Sequence, residues 1–230
     1  MSFGPHPIKM DVTYPVSVGV RDGIRNKITI QPLLIGRHNV YNILASFAAG
    51  LVLNQSPAQI KQRLELLRCV PGRLEAVRIE EMELAKFNVF VDYAHTPDGL
   101  RQVLTTLREI TQGRLLVVFG CGGDRDRGKR PQMGRIAAQL ADEVFVTSDN
   151  PRSENPETII QDIIEGIRPL GEKKMSRIKI EADRSAAIRE AIFSAGAGDT
   201  VLLAGKGHEN YQIFKDVTVP FDDRDQARRW

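Results

Sequence analysis

Cysteine is scarce: Cys69 and Cys121 are the only two in 230 residues. Two are too few for a disulfide framework or a cysteine-built zinc site, so reduced thiols in a cytoplasmic protein are expected. Long apolar runs are absent too. The longest, Leu115 to Gly120, has strand length, far short of the roughly 18 residues a membrane-spanning helix needs. Neither charge dominates. Lys and Arg number 32 against 29 Asp and Glu, a net +3, which announces neither nucleic acid nor an anionic membrane as a partner. Met1 to Met10 holds one lysine and no apolar stretch, unlike a signal peptide. What remains is 42% hydrophobic and 27% charged, a globular composition. At roughly 150 residues per domain the length predicts one or two domains with a substantial core.

The first third reads as one unit. Val12 to Val20 alternates in parts, Ile24 to Leu34 is rich in β-branched residues, and Asp22-Gly23 between them signals a hairpin. Val40, Ile43, Leu44, Phe47, Ala48 and Leu51 then share one face of a helix. A second helix starts with Ser56 as cap and Pro57 at its first position. Pro71-Gly72 breaks the chain, and the domain boundary is placed there, giving units 1–70 and 71–230.

From Arg73 onward short apolar strands alternate with amphipathic helices. Strands are expected at Phe87 to Val91, Leu115 to Gly120, Glu143 to Ser148, Ile178 to Ala182 and Thr200 to Ala204. The helices between them open at Pro97, Pro131 and Pro156 and run through Ala186, Ile188 and Ala191. Thr96 and Asn155 are cap residues before two of those prolines. This pattern means right-handed βαβ units: an α/β, Rossmann-like, mostly parallel sheet with helices on both faces. Tyr211 to Pro220 reads as an added hairpin.

Open parallel sheets bind ligands beyond the carboxyl ends of their strands, and the unusual residues fall there. Gly123 to Lys129 fits the phosphate-cradling G-x-x-x-x-G-K, but the next residue is Arg130 where the pattern needs a magnesium-binding Ser or Thr. A glycine turn whose amides and arginines hold a carboxylate is the better reading, with a solvated charged turn as the alternative. Asp149-Asn150-Pro151-Arg152 sets a guanidinium fork beside an amide that donates and accepts, suited to a zwitterionic amino acid; an Asx-turn explains it equally locally. Asp92 and Asp98 flank His95. Asp92 at a strand end suits ribose hydroxyls, and His95 suits a general base or a phosphate contact, while a capping loop before Pro97 explains both without function. Glu209, in Gly207-His208-Glu209, could pair with a ligand ammonium. Asn39 could read an adenine edge, but its spacing favours a plain helix N-cap.

Together these segments resemble the Mur ligases. The matching residues are Gly36 to Asn42, Pro71-Gly72-Arg73-Leu74-Glu75, Asp92 to Asp98, Gly120 to Pro131, Asp149 to Arg152 and Gly205 to Glu209, in the family's order and across nearly the whole chain. The resemblance implies that residues 1–70 are the rear of the central ATPase domain and residues 71–230 the last, Rossmann-like domain. It implies that Asn39 faces the adenine, Arg73 reaches the phosphates, Asp92 holds the ribose and His95 lies near the nucleotide, with Arg73 and His95 the catalytic candidates. It implies that Arg125, Asn150, Arg152, Gly205 and Glu209 hold the amino acid. The arginine after Asp-Asn-Pro resembles the branch that adds meso-diaminopimelate rather than lysine. The second carboxylate of meso-diaminopimelate is what Arg152 would clamp, and losing such a contact costs about 2–5 kcal/mol.

In that family ATP activates the substrate's terminal carboxylate as an acyl phosphate, and the incoming amine forms the amide, with magnesium and a P-loop stabilising the transferring group; for the meso-diaminopimelate-adding branch the resemblance implies UDP-N-acetylmuramoyl-L-alanyl-D-glutamate as that substrate. This sequence has no G-x-x-x-x-G-K-[ST], no lysine assignable to the family's carbamylated role and no UDP-binding domain. The expectation is therefore a fragment or split-gene product that is inactive alone, binds neither ATP nor Mg2+ tightly, and has no nucleic-acid or membrane partner. The alternative is an amino-acid-binding or scaffold module that kept the fold and lost the chemistry. A third possibility is another amide-ligase branch, such as folylpolyglutamate or cyanophycin synthesis, against which the Asp149 to Arg152 turn argues.

Overall fold

Continuous apolar runs bounded by glycine and charged turns build the sheet, and amphipathic segments between them build its two covers. The computed structural model describes residues 9–15, 25–77 and 86–230, apart from the side chains of Arg37 and His38. It divides into two compact units, Met1–Val70 and Pro71–Trp230.

In the first unit, β1 (Met10–Pro15) pairs antiparallel with β2 (Arg25–Ile30), Met10 opposite Ile30. The expected turn at Asp22-Gly23 lies outside the described residues. Helices α1 (Arg37–Val52) and α2 (Pro57–Leu66) follow. Ser56 Oγ accepts from the Gln59 amide at 3.3 Å, capping α2. Val12, Ile30, Leu34, Ile43, Phe47 and Ile60 form the core. The apolar face expected on α1 is only partly buried: Ile43 and Phe47 point inward, while Leu44 and Ala48 are exposed. Asn39 is not the N-cap. That position is Gly36, at φ +93°, and Asn39 lies one turn inside the helix, its amide donating to Ile35 O at 2.7 Å.

The second unit runs β3 (Glu75–Ala76), β4 (Asn88–Asp92), α3 (Pro97–Ile110), β5 (Leu115–Phe119), α4 (Lys129–Leu140), β6 (Glu143–Val146) and α5 (Pro156–Ile167). A 3-10 turn (Arg168–Leu170) leads to α6 (Glu172–Met175), β7 (Ile178–Ile180), α7 (Arg184–Ser194) and β8 (Thr200–Ala204). The hairpin β9 (Tyr211–Phe214) and β10 (Val217–Pro220) and helix α8 (Asp223–Arg229) end the chain. Six strands form one sheet in the order β3-β4-β8-β5-β6-β7. All neighbours are parallel except β3, which runs antiparallel to β4.

Every residue of β5 and β8 is buried, as a parallel strand covered on both faces requires. Alternate residues divide between two cores. Val89, Val91, Leu116, Val118 and Leu203 pack against Ile188 and Ala191 of α7 and Ala227 of α8. Phe90, Val117 and Leu202 point the other way, toward the layer in which α3, α4 and α5 pack in sequence. Because β8 inserts between β4 and β5, the turns after β4, β8, β5 and β6 lie side by side at the carboxyl edge, where ligands bind in such sheets.

Candidate functional site

The turns after β5 and β6 are laced together at that edge. The Gly123 amide donates to Asn150 O at 2.9 Å, and a Cβ on Gly123 would lie 1.9 Å from Pro151 O, so only glycine permits the contact. Asp124 and Arg152 both adopt the left-handed region, φ +54° and +51°, which L side chains rarely visit. Asp124 is fixed there by accepting from Ser153 N at 3.2 Å and Ser153 Oγ at 2.6 Å. The hairpin fixes Arg152: its amide donates to Ile213 O and its carbonyl accepts from Lys215 N.

Inside the loop Arg130 is fully buried. Its guanidinium binds Glu154 at 2.7 and 2.9 Å, Asp162 at 2.8 Å and Gly122 O at 3.2 Å. This pairing holds the Glu154 carboxyl down at about 2. Where a magnesium-nucleotide loop needs a hydroxyl, the chain therefore places a cation already neutralised by two carboxylates, and the residues present do not fit such a loop. Cys121 beside it is buried, which pushes its thiol up to about 12, so it is no nucleophile.

The remaining arginines behave differently. Arg152 Nη1 donates to Gly123 O at 2.8 Å, and exposed Arg125 donates to Asp124 O at 3.0 Å. Both flank Gly122: a Cβ there would meet Arg152 Nη1 at 2.8 Å and Arg125 Cγ at 3.7 Å. Among the described residues neither makes an ion pair, although Arg152 helps hold the Asp124 carboxyl low, whereas Arg127 and Arg130 nearby are both paired. A guanidinium free of ion pairs is chemically able to take a carboxylate.

Next to it, Asn150 is 3% exposed. Its Nδ2 donates to Glu209 Oε2 at 2.9 Å, and its Oδ1 accepts from Lys206 Nζ at 3.2 Å and Ile213 N at 3.1 Å. Lys206, fully buried, also reaches Asp149 Oδ1 at 3.3 Å and Glu209 Oε2 at 3.6 Å. Gly205, at φ +112°, turns the chain from β8 toward this cluster. The structure thus brings Arg125 and Arg152 together, and joins Asn150 to Glu209.

A second group forms after β4. Arg73, exposed, sits over the Tyr93 ring at 5.1 Å, and Tyr93 lies 4.5 Å from the His95 ring and 5.4 Å from the His208 ring. His95 Nδ1 is 2.8 Å from Tyr93 O. A carbonyl only accepts, so Nδ1 carries a proton in this contact. Asp92 Oδ2 accepts from the Leu74 amide at 2.8 Å. Asn39 belongs to the first unit, where its Oδ1 accepts from Asn42 at 3.0 Å.

Sequence reasoning missed three buried cations: Arg130, Arg184 and Lys206. Arg184 pairs with Asp223 at 2.7 Å and donates to Ala204 O, tying α7 and α8 to the end of β8. A cavity of about 550 Å³ near this edge is lined by Ser148, Arg184, Gln212 and Phe214 and by none of the predicted site residues.

An open parallel sheet whose carboxyl-edge turns gather arginines, fixed glycine amides and a paired carboxylate defines a small-molecule-binding domain of Rossmann type. The family model described as "Mur ligase, glutamate ligase domain" matches residues 72–207, and the chain belongs to that family. It is 52% identical over 195 residues to UDP-N-acetylmuramoyl-L-alanyl-D-glutamate--2,6-diaminopimelate ligase of Gloeobacter violaceus, covering 85% of this chain and 38% of that protein. The same enzyme of Solibacter usitatus is 50% identical over 204 residues, covering 89% and 40%. A solved structure of that ligase superposes with TM-score 0.65 at 41% identity, over 89% of this chain and 40% of the other. Mycobacterium tuberculosis folylpolyglutamate synthase shares the fold, with TM-score 0.60 at 19% identity, over 85% and 45%. The chain thus spans about two fifths of the length of the curated relatives it matches. No helix of the described residues is long and apolar enough to cross a membrane.

Proposed function

We propose that residues 71–230 hold meso-diaminopimelate for an ATP-dependent ligase that joins it to UDP-N-acetylmuramoyl-L-alanyl-D-glutamate in cytoplasmic peptidoglycan synthesis. On the same reading residues 1–70 are the rear of the central, nucleotide-handling domain. Arg152 and Arg125 take a carboxylate at the Gly122 turn. Asn150 and Glu209 take the adjoining amino-acid head, with Gly205 allowing close approach. Arg73, Asp92 and His95 face the nucleotide, and Asn39 its adenine. ATP and magnesium supply the activation of the acceptor carboxylate, and the phosphate cradle for them is not in this sequence. What these residues do is bind the amino acid, orient its amine and hold charge.

The observation that carries this reading is that Arg125 and Arg152 both border Gly122 and make no ion pair among the described residues, whereas the neighbouring Arg127 and Arg130 are bound to carboxylates. Calorimetry tests it. The chain should bind meso-diaminopimelate and bind lysine, which lacks one carboxylate, at least about tenfold more weakly. Arg152→Ala should erase the difference. Equal affinity for the two ligands in the unmodified chain would refute the assignment.

A further inference from the structure

We infer that Lys206 is a positioning residue for the amino-acid site: it locks the Asn150 amide so that this side chain can only donate to a ligand, and it leaves Glu209 as the group that takes the ammonium. The inference rests on the amino-acid reading above and deepens it. The orientation of an asparagine amide is ordinarily ambiguous. Here its neighbours decide it. The Lys206 ammonium and the Ile213 backbone N–H can only donate, and they lie 3.2 and 3.1 Å from one atom of the amide. The Glu209 carboxylate can only accept, and it lies 2.9 Å from the other. The first atom is therefore oxygen and the second nitrogen.

An amide oxygen has two lone pairs, and both are engaged. One Nδ2 hydrogen is bound to Glu209, and the other is all that Asn150 can offer. It can meet a ligand carboxylate and cannot meet a ligand ammonium. Charge points the same way. Lys206 contributes one positive charge between Asp149 and Glu209, which contribute two negative ones. Arg184 also acts on both carboxylates but is bound by Asp223, so the cluster stays short of one cation. The Glu209 side chain is the more exposed of the two, 19% against 11% for Asp149, so the deficit is better met there. Donor and acceptor for a zwitterionic head are thus set side by side, and the buried lysine keeps them from exchanging roles.

Proton–nitrogen NMR on the full chain tests this, with the Asn150 side-chain amide identified by its disappearance in Asn150→Asp. In the unmodified chain, meso-diaminopimelate should shift that amide while the Ile213 backbone N–H keeps its protection from exchange. In Lys206→Met, the Asn150 amide should move before any ligand is added, in an otherwise preserved spectrum, and affinity should fall about tenfold or more. A folded Lys206→Met chain with the Asn150 amide unmoved and affinity kept overturns the inference while sparing the amino-acid reading. If Lys206→Met does not fold, the unmodified chain decides: loss of Ile213 protection on ligand binding means that Oδ1 has turned to the ligand, and overturns it. No shift anywhere with meso-diaminopimelate overturns the amino-acid reading, and the inference with it.

Discussion

Arg130 is turned inward and Arg152 outward, and that difference decides what replacing each does. Arg130→Met takes the guanidinium from Glu154 and leaves Asp162 only Arg127, so it should lower stability by about 3 kcal/mol in urea unfolding. Arg152 gives up two hydrogen bonds to backbone, one of them long at 3.4 Å, and Arg152→Ala should cost only about 1–2 kcal/mol while removing ligand selectivity. A result with the two reversed would mean that the loop is not braced from within. Nothing in the sequence distinguishes these arginines, which share one kind of charged, glycine-flanked neighbourhood. Burial is set by partners distant in the chain: Glu154 stands 24 positions from Arg130, and Asp149 stands 57 positions from Lys206. Lys206 stands between two glycines, with nothing local to mark it as buried. The site residues on strand ends were legible, because the alternation of strands and helices places those ends at one edge before any side chain is considered.

At the scale of elements, period and caps carried most of the information. Thr96 and Asn155 accept amide hydrogen bonds at the starts of α3 and α5 as their Thr-Pro and Asn-Pro pairs predict. Helix α4 starts at Lys129, two residues before the proline that marked it, because proline is tolerated anywhere in a first turn. Strand β3 has two residues, α6 has four, and the buried residues of α8 are Asp223 and Ala227. None of these offers an apolar period to read. Asn39 misled because glycine caps α1 by backbone geometry, leaving no side-chain signature. The contact between the turns after β5 and β6 yields a prediction at this scale. Gly123→Ala forces Pro151 O away from a Cβ, so the turns must part. Melting should show a loss of about 1–3 kcal/mol, and binding of meso-diaminopimelate should vanish. An alanine variant with unchanged binding would show that the turns need not touch.

For the molecule as a whole, several carboxylates of the second unit are held low. Guanidinium and amide partners depress Glu154, to about 2, and Asp222 and Asp199 lie below the usual carboxylate range although burial opposes this. Groups whose folded pKa is depressed stabilise above their unfolded value, and that stability is lost as pH falls through the folded value. The urea midpoint of this unit should stay level from pH 7 to about 5 and drop between about 4.5 and 2. A midpoint that rose on acidification would contradict the pairing. The sheet also settles where residue 73 belongs. Strand β3 pairs Glu75 with Val91, the Tyr93 amide donates to Gly72 O, and Leu74 N–H binds Asp92. The segment just after the boundary is therefore stitched to the very strand end it overhangs. A chimaera that swaps partners at residue 71 would carry Arg73 along as cargo already bolted to its new owner, whereas one joined at residue 88 would leave both the bolt and the guanidinium behind.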